Sequence, residues 1–380
     1  MRILIATVTA GAGHVAAAAA LEEAWRAAHS QDVVERLDLV KFFSPLHRKV
    51  VSEGYVKLVE RAPELWGMVF KKTDDPKLAR RLGRIKRLFP SHSRSRFEKY
   101  VKQFKPDAVL CTHYSPLETL GQMKVRRDRR HSEVTASGPF VVSIVTDFEA
   151  HALWMNRSVD LYCVAAEETK ARLVARGAAP ENIVATGIPI SGRFSASMDH
   201  GTVRKTLGLR DDLPITLVLS GGFGMGPVAE ILAELDKVGK QFQTVVVTGR
   251  NEELRRELAA VDHKHPTRVL GFASNMHELM AIADIIITKP GGLTSSEALA
   301  MGKPLFILNP IPGQEAANSD FLLERGAAVK VNRVEDLPYR IERLIGMPKL
   351  AEMEVAAKAL GRPGAAKAVC EEVVRRIAIH

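Results

Sequence analysis

Short apolar runs and longer amphipathic stretches alternate along the whole chain. The short runs are aliphatic and β-branched, which predicts strands buried on both faces. In the first half they are residues 2–8, 106–112, 140–146 and 160–164. In the second half they are residues 215–220, 244–248, 268–270, 284–289 and 304–308. Stretches of helical composition follow most of these runs. Alternating strands and helices predict parallel sheets covered by helices, and the restart of the pattern predicts two domains.

The unit at residues 284–308 has the clearest site chemistry. A predicted strand is interrupted by Pro-Gly-Gly, a predicted helix follows, and a second strand completes the unit. The helix start, at Gly291, Gly292 and Thr294, would offer unpaired N–H groups and partial positive charge to a phosphate. Glu297 is one helical turn further on, where it would suit the hydroxyl groups of a ribose. The alternative is a capping box, because Thr294-x-x-Glu297 also fits that pattern.

Amide and carboxylate side chains follow the last strand of this unit. They are Gln314, Glu315 and Asn318. The hydroxyl groups of a sugar need hydrogen-bond donors and acceptors of these two kinds. This placement favours a sugar site over a purely structural role for the unit.

Two further turns in the second half suit phosphate groups. Four glycines within residues 221–226 follow a predicted strand, and among them Gly221, Gly222 and Gly224 would let the backbone approach a diphosphate closely. The alternative is a turn with a structural role only. Arg250 follows the next predicted strand and could bind a phosphate through two parallel hydrogen bonds.

The turn after the first strand ends in Gly11-Ala12-Gly13-His14. A helix start lowers the proton affinity of an imidazole and leaves it neutral near pH 7. A neutral His14 beside a cleft could accept a hydroxyl proton. The alternative is a tight turn that packs the helix closely on the sheet.

A second polar group follows the strand at residues 140–146. Asp147 stands at its carboxyl end, where parallel sheets bind ligands, and His151 and Trp154 come shortly after. Asp147 could serve as a base or orient one. The alternative is a helix cap, with His151 and Trp154 as packing groups.

Composition narrows the class of protein. At 380 residues the chain can form two domains, each with a full core. Three cysteines without paired spacing argue against a disulfide framework or a zinc site, and a reducing compartment is the default expectation. The chain opens directly into a strand, so we expect no signal peptide. No run approaches the roughly 18 apolar residues that a spanning helix needs.

The formal net charge of +10 comes from one segment. Residues 41–102 contain 17 Lys and Arg against 6 Asp and Glu, so the rest of the chain is close to neutral. A cluster of cations lies within this segment: Arg80, Arg81, Arg84, Lys86 and Arg87. Beside large apolar side chains they suit an anionic bilayer, at about 1 kcal/mol per cation. A solvated basic helix is one alternative. Nucleic acid is another, but no nucleic-acid-binding motif accompanies the cluster.

The unit around Glu297 resembles the donor site of nucleotide-sugar glycosyltransferases of the GT-B architecture. The chain resembles above all the monogalactosyldiacylglycerol synthases and the bacterial processive diacylglycerol glucosyltransferases, through the GxGH turn ending at His14 and the VTDF…H..W pattern at residues 145–154. It also has their GIPI element at residues 187–190. The peptidoglycan N-acetylglucosaminyltransferase is a more distant relative.

This resemblance implies an α/β fold of two facing Rossmann-like domains, each with a parallel sheet, and an interdomain cleft. The expected acceptor domain is residues 1–195, and the expected UDP-sugar domain is residues 205–364. The last helix, residues 365–380, is expected to return to the first domain.

The resemblance also implies a reaction. A hexose, with glucose favoured over galactose, would pass from a UDP-sugar to the 3-hydroxyl of diacylglycerol with inversion. The base would be His14 first and Asp147 second, and Gly13, His151 and Trp154 would bind the acceptor. The donor site would comprise Gly221, Gly222, Gly224, Arg250, Phe272, Ala273, Gly291, Gly292, Thr294, Glu297, Gln314, Glu315 and Asn318.

Within the donor site, Glu297 would hold the ribose, and the loop at Phe272 and Ala273 would read the uracil edge. No DxD metal motif is found, so we expect no metal and no cofactor beyond the UDP-sugar. The expected location is the inner face of the cell membrane, held there peripherally, without nucleic acid as a partner. Transfer of N-acetylglucosamine to a polyprenyl-linked muropeptide stays open, as does a nucleic-acid or membrane-binding protein on a decayed transferase scaffold.

Overall fold

The computed structural model describes residues 1–9, 11–44, 62–75, 91–128, 138–221, 226–308 and 310–379. These residues form two compact units. The first unit is Met1–Gly192, Pro312–Gln314 and Gly364–His380, and the second is Arg193–Ile311 and Glu315–Pro363. The first segment of the first unit ends at Gly192, whereas the sequence prediction gave 195.

The strands and helices alternate as the sequence pattern predicts. The strands are β1 (Arg2–Thr7), β2 (Val33–Asp38), β3 (Ala108–Cys111), β4 (Phe140–Ile144), β5 (Leu161–Val164), β6 (Ile183–Ala185), β7 (Ile215–Leu219), β8 (Gln243–Val247), β9 (Thr267–Leu270), β10 (Ile285–Thr288), β11 (Leu305–Leu308) and β12 (Ala328–Val331). The helices of the first half are α1 (Ala12–Ala28), α2 (Pro63–Thr73), α3 (Ser91–Phe104), α4 (Ser115–Asp128) and α5 (Glu167–Ala175). Those of the second half are α6 (His200–Leu207), α7 (Val228–Leu235), α8 (Glu252–Ala259), α9 (Met276–Ile282), α10 (Gly292–Ala300), α11 (Gln314–Glu324), α12 (Leu337–Glu342), α13 (Pro348–Leu360) and α14 (Ala365–Ile377).

The first unit is built on a six-stranded parallel sheet in the order β2-β1-β3-β4-β5-β6. Strands β3, β4 and β5 are buried along their whole length. On one face α1 and α14 bury Leu21, Trp25 and Val369, and on the other α3 and α4 bury Phe97 and Leu117. Each face of the sheet therefore has its own core layer, which is why the central strands β3, β4 and β5 contain almost no polar positions.

The second unit repeats this arrangement, with the strand order β12-β11-β10-β7-β8-β9. All neighbouring strands in these two sheets are parallel. Phe242, Phe306 and Met353 lie in its core. The predicted fold class, parallel sheets with helices on their faces in two Rossmann-like domains, is confirmed.

Two details differ from the sequence prediction. The edge strands β2, β6 and β12 were not predicted: polar positions break the apolar pattern in β2 and β12, and β6 is only three residues long. Helix α1 begins at Ala12, inside the stretch that the sequence predicts as a turn ending at His14, since Gly11 adopts an extended conformation (φ −177°, ψ 152°) as the N-cap residue. Gly13 and His14 therefore lie in the first helical turn.

Within the described ranges, no helix combines the length and the apolar character needed to cross a membrane.

Candidate active site

The first sheet brings polar residues together where its strand order changes direction. From β1 the chain goes to β2 on one side and then to β3 on the other. In parallel sheets the crevice beyond such a switch point is where ligands bind. His14 follows β1, Thr112 and His113 follow β3, and Thr146 and Asp147 follow β4.

His14 is held in one tautomer by its neighbours. Its Nδ1 lies 2.9 Å from the carbonyl oxygen of Thr112 and 2.9 Å from the hydroxyl oxygen of Thr146. A carbonyl oxygen can only accept, so Nδ1 donates its proton to Thr112. In the neutral ring Nε2 then has the free lone pair. The Thr112 hydroxyl also donates to the His14 carbonyl oxygen at 3.0 Å, which fixes the helix start against β3.

Burial keeps the His14 ring neutral. Removal from water lowers its pKa to about 4, and the hydrogen bond to the Thr112 backbone offsets only part of that effect. At pH 7 the ring is therefore uncharged and its Nε2 is unprotonated.

A second imidazole stands against the first. The rings of His14 and His113 have centroids 4.8 Å apart and planes at 90°. Ser115 donates its backbone N–H to His113 Nδ1 at 3.1 Å, so in the neutral ring the proton is on Nε2. Burial, followed by the neighbouring His14, lowers the pKa of His113 well below its usual value.

Asp147 and Gly13 flank this cluster along the chain. Asp147 lies partly buried in the bend after β4, next to Thr146. Gly13 is partly buried in the first turn of α1. The structure thus places both predicted residues beside the His14 environment.

His151 makes hydrogen bonds through both ring nitrogens. Its Nε2 donates to the carbonyl oxygen of Phe70 at 3.1 Å, and its Nδ1 accepts from the backbone N–H of Leu153 at 3.1 Å. The ring is buried and also contacts Phe70 at a centroid distance of 4.4 Å. Trp154 is likewise buried, with its ring edge-on to Tyr114. These contacts join the end of α2 to the loop that follows β4.

Asp74 strengthens the same junction. Its carboxylate accepts from the backbone N–H of Ala152 at 2.8 Å and from the Arg176 guanidinium at 2.7 Å. Burial by itself would raise the pKa of Asp74, but the hydrogen bonds from Arg176 and Ala152 outweigh it and hold the pKa below its usual value.

The second sheet has an equivalent switch point between β7 and β10. After β7, Gly221 (φ +75°) and Gly226 (φ +119°) adopt backbone conformations that favour glycine. Gly222 and Gly224 lie outside the described residues. Lys289 follows β10 and lies beside Gly226, because its Cε is 3.9 Å from where a Cβ of residue 226 would stand.

Helix α10 starts at this switch point. Gly291 is the N-cap, and no side chain caps the helix. Thr294 therefore lies inside the first turn, and the capping-box interpretation of Thr294 and Glu297 is wrong. The N–H groups of the first turn, which begins at Gly292, have no partner within the helix and point toward the carboxyl end of the sheet.

Glu297 is a partly buried carboxyl group without a hydrogen-bond or ion-pair partner in the described part of the chain. Burial raises its pKa to about 8. A carboxyl group held in this way lacks a structural role, which agrees with a ligand site.

The three residues predicted to contact the hexose differ in their surroundings. Asn318 is fully buried and donates from Nδ2 to the carbonyl oxygen of Pro290 at 3.0 Å. Glu315 accepts from the backbone N–H of Ile311 at 2.8 Å. Gln314 is partly exposed at the start of α11. Asn318 therefore braces the turn before α10, whereas Gln314 and Glu315 lie nearer the surface.

Arg250 and Phe272 form an exposed pair. The Arg250 guanidinium carbon is 5.8 Å from the centre of the Phe272 ring, and that ring is 67% exposed. Ala273 is partly exposed beside it. Arg250 follows β8, the neighbour of β7 in the sheet, and Phe272 follows β9 at the sheet edge.

The predicted membrane cations Arg80, Arg81, Arg84, Lys86 and Arg87 lie outside the described residues. In the described ranges, no three His, Cys, Asp or Glu side chains are grouped so as to hold a metal ion. The expectation of no metal and no cofactor stays a prediction.

Four polar residues at these two edges were missed in the sequence. They are Thr112, His113, Thr146 and Lys289. Each stands within two residues of the end of a buried strand. Their positions directly after parallel strands could have identified these residues from the sequence, since the carboxyl ends of such strands meet at one edge of the sheet.

Comparisons with known proteins agree with this arrangement. The family model "Monogalactosyldiacylglycerol (MGDG) synthase" matches residues 14–190, and "Glycosyl transferases group 1" matches residues 224–359. The processive diacylglycerol beta-glucosyltransferase of Bacillus cereus (strain ATCC 10987 / NRS 248) is 30% identical over 98% of this chain and 93% of its own length. The enzyme of the same name from Bacillus pumilus (strain SAFR-032) is 28% identical, over 99% and 95%.

A solved structure extends the comparison at the level of the fold. Acinetobacter baumannii MurG superposes with a TM-score of 0.61 at 17% identity, covering 98% of this chain and 99% of its own. Similarity in sequence over nearly the full length, together with the match of both family models, leads to one conclusion. The chain belongs to the diacylglycerol glycosyltransferase family, beside the processive diacylglycerol beta-glucosyltransferases.

Proposed function

We propose that this chain is an inverting glycosyltransferase that moves a hexose, with glucose favoured, from a UDP-sugar to the 3-hydroxyl of 1,2-diacylglycerol. The observation that carries the proposal is the fixed tautomer of His14. Its Nδ1 proton is held by Thr112 O, so its Nε2 lone pair is available beyond the first switch point. The family relationship supplies the substrate class.

The base step uses the neutral state of His14. Nε2 takes the proton of the acceptor hydroxyl while that oxygen bonds to the anomeric carbon and the bond from this carbon to the UDP oxygen breaks. The electron pair leaves with UDP, and in-line displacement produces a β-glycoside. A ring with a pKa of about 4 is neutral throughout the physiological range, and it releases the captured proton readily after turnover. Asp147, in the same edge of the sheet, is the alternative base.

The second unit would bind the donor through positive charge that needs no metal. The turn from Gly221 to Gly226, the first turn of α10 and the Lys289 ammonium would hold the diphosphate. Arg250 would add a second cation. These groups are placed before the reaction, so they would stabilise the charge that grows on departing UDP.

The remaining donor contacts would be to the ribose, the uracil and the hexose of the UDP-sugar. Glu297 would accept hydrogen bonds from the ribose hydroxyls, and the loop at Phe272 and Ala273 would face the uracil. Gln314 and Glu315 would bind the hexose. Because Asn318 is buried and bonded to Pro290, we assign it to positioning this turn instead of direct sugar contact.

We assign His151 and Trp154 to positioning as well. Both ring nitrogens of His151 make hydrogen bonds within the protein, so the ring holds α2 in place against the loop that follows β4. Trp154 is packed into the core of the first unit. His151 therefore has no ring nitrogen left for the acceptor hydroxyl.

Membrane association is a further part of this proposal. Helix α2 exposes Leu65 (48%), Met68 (56%) and Val69 (41%) beside Lys71 and Lys72. Exposed apolar residues next to cations suit an anionic bilayer. Together with the basic segment, this supports peripheral docking on the inner face of the cell membrane.

Liposome flotation tests the docking. Neutral replacements of Arg80, Arg81, Arg84, Lys86 and Arg87 should release the protein from anionic liposomes, whereas binding to neutral liposomes should be weak throughout. Retention of the variant at normal levels would contradict the docking.

Product analysis tests the proposed reaction. Purified protein is given diacylglycerol in anionic mixed micelles, with radiolabelled UDP-glucose or UDP-galactose in parallel. We expect a labelled β-glucosyl lipid, and a galactosyl lipid would change the donor but keep the reaction. No glycolipid from either donor, despite UDP binding, would contradict the acceptor and make the polyprenyl-linked muropeptide the next substrate to assay.

The variant His14→Ala identifies the base. It should lose turnover by at least about 100-fold, within the range for general base catalysis, while UDP affinity measured by calorimetry stays unchanged. Near-normal turnover would transfer the base role to Asp147.

A further inference from the structure

The two imidazoles at the first switch point have complementary hydrogen-bonding states. His14 Nδ1–H is bonded to Thr112 O, which leaves a lone pair on Nε2. His113 Nδ1 accepts from Ser115 N–H, which puts the ring proton on Nε2. One ring therefore offers an acceptor and the other a donor. Neither Nε2 has a hydrogen-bond partner in the described part of the chain.

The two rings are in direct contact, so that one hydroxyl group can lie beside both of them. Their centroids are 4.8 Å apart, and the perpendicular planes bring the edge of one ring to the face of the other. His113 is 5% exposed, and its ring is also stacked on Tyr114 at 4.2 Å. Packing and the Ser115 hydrogen bond together leave the ring little freedom to rotate.

A hydroxyl group needs both partners when it becomes a nucleophile. Its proton must go to a lone pair, and the negative charge that grows on its oxygen is stabilised by a donor. A neutral pair of imidazoles meets both needs without placing two charges side by side. The alternative, a doubly protonated pair, is disfavoured because both rings are removed from water.

We propose that His113 is a second catalytic residue, which donates from Nε2 to the acceptor oxygen while His14 takes the proton of that oxygen. The proposal rests on the proposed function of His14 as the base. In the step, the O–H bond breaks toward His14 Nε2, the new bond from oxygen to the anomeric carbon forms, and UDP leaves with its electron pair. His113 keeps its own proton throughout.

Two amide substitutions separate the two ring nitrogens of His113. Asparagine can place an oxygen near the Nδ1 position and keep the hydrogen bond from Ser115, as asparagines do in turns. It cannot reach the Nε2 position. Glutamine is one carbon longer and can place an N–H donor near Nε2.

His113→Asn should therefore lower kcat by about 100-fold, the usual loss for one donor to a developing oxyanion. The KM for UDP-glucose and the UDP affinity should stay unchanged. His113→Gln should keep kcat within about tenfold of the parent, on the scale of one weakened hydrogen bond. The thermal unfolding midpoints of both variants are measured to show that each folds.

The outcomes distinguish this proposal from the proposed function. Normal kcat in His113→Asn, or equal losses in the Asn and Gln variants with unchanged unfolding, would overturn the donor role while leaving the His14 base intact. Normal turnover in His14→Ala would instead overturn the base on which the proposal rests. A low kcat in the Asn variant with recovery in the Gln variant supports the proposal.

Discussion

On the proposed role of Glu297 at the ribose, its raised pKa predicts that UDP binding depends on pH. The ribose hydroxyls donate hydrogen bonds, and an ionised carboxylate accepts them better than a protonated carboxyl group. Burial holds the pKa of Glu297 at about 8, so most of the free protein has this group protonated at pH 7. On this proposal, UDP displaces a proton from Glu297 when it binds below pH 8.

The size of the effect follows from the titration. At pH 7 only about one-tenth of the protein has Glu297 ionised, and at pH 6.5 about one-thirtieth. The apparent Kd is the intrinsic Kd divided by that fraction. Between pH 6.5 and pH 9 the Kd for UDP should thus fall by about 30-fold, or about 2 kcal/mol.

Calorimetry with a matched variant isolates the contribution of Glu297 to the pH dependence of UDP binding. Glu297→Gln removes the titration but keeps the size of the side chain, and its own pH dependence accounts for every other group, including the terminal phosphate of UDP. In buffers of different ionisation enthalpy at pH 7, the unmodified protein should release about 0.9 proton more per bound UDP than Glu297→Gln does. Identical pH profiles for the two proteins would refute the reasoning.

The same group affects the stability of the free protein in the opposite direction. A carboxyl group whose pKa is raised by folding favours the folded state at low pH, and that advantage is lost as pH rises from its ordinary value toward 8. Glu297→Gln should therefore be more stable than the unmodified protein at pH 9, and the two should converge at acidic pH. Thermal unfolding measures the difference.

The other predictions concern Lys289 and Asp74. Lys289→Met should weaken the affinity for UDP about tenfold, the usual loss for one charge-assisted hydrogen bond, and leave the affinity for uridine unchanged. The control Lys330→Met, on β12, should change neither affinity. If calorimetry shows equal losses for UDP and uridine, Lys289 does not contact a phosphate. Asp74→Asn should lose about 1–3 kcal/mol of unfolding free energy with its bond to Arg176. Because folding lowers the pKa of Asp74, this contribution is present at neutral pH and fades as pH falls through the acidic range, so denaturant titrations at pH 7 and pH 3 should show a shrinking gap. An undiminished gap at pH 3 would contradict it.

The central strands were predictable because burial on both faces leaves an unbroken apolar run. β4 and β10 stand out in this way. The edge strand β2 has the sequence Val-Val-Glu-Arg-Leu-Asp, and its polar residues interrupt the apolar run that would have identified it as a strand. Edge strands contact neighbours on one side only, so their side chains obey weaker constraints.

The site was predictable to the extent that its chemistry is local. The helix start at Gly292 and the position of Glu297 follow from residues close together in the chain. Thr112 and Thr146, in contrast, come within hydrogen-bond distance of His14 across more than 95 residues. Only the order of the strands creates that contact. His151 was predicted to bind the acceptor from its place in a local motif, but both of its ring nitrogens make hydrogen bonds within the protein.

Under the proposed function, the two switch points use one topology for two kinds of ligand. Each lies where a sheet changes direction, and each collects the turns after neighbouring parallel strands. At β1 and β3 the turns supply neutral imidazoles, which can take a proton from a hydroxyl group and stabilise its oxygen. At β7 and β10 they supply glycine turns, a helix start and Lys289, which suit the charge of a diphosphate. The fold decides where ligands bind, and a few residues after each strand decide which ligand it is, so exchanging those residues should alter chemistry without altering the sheets.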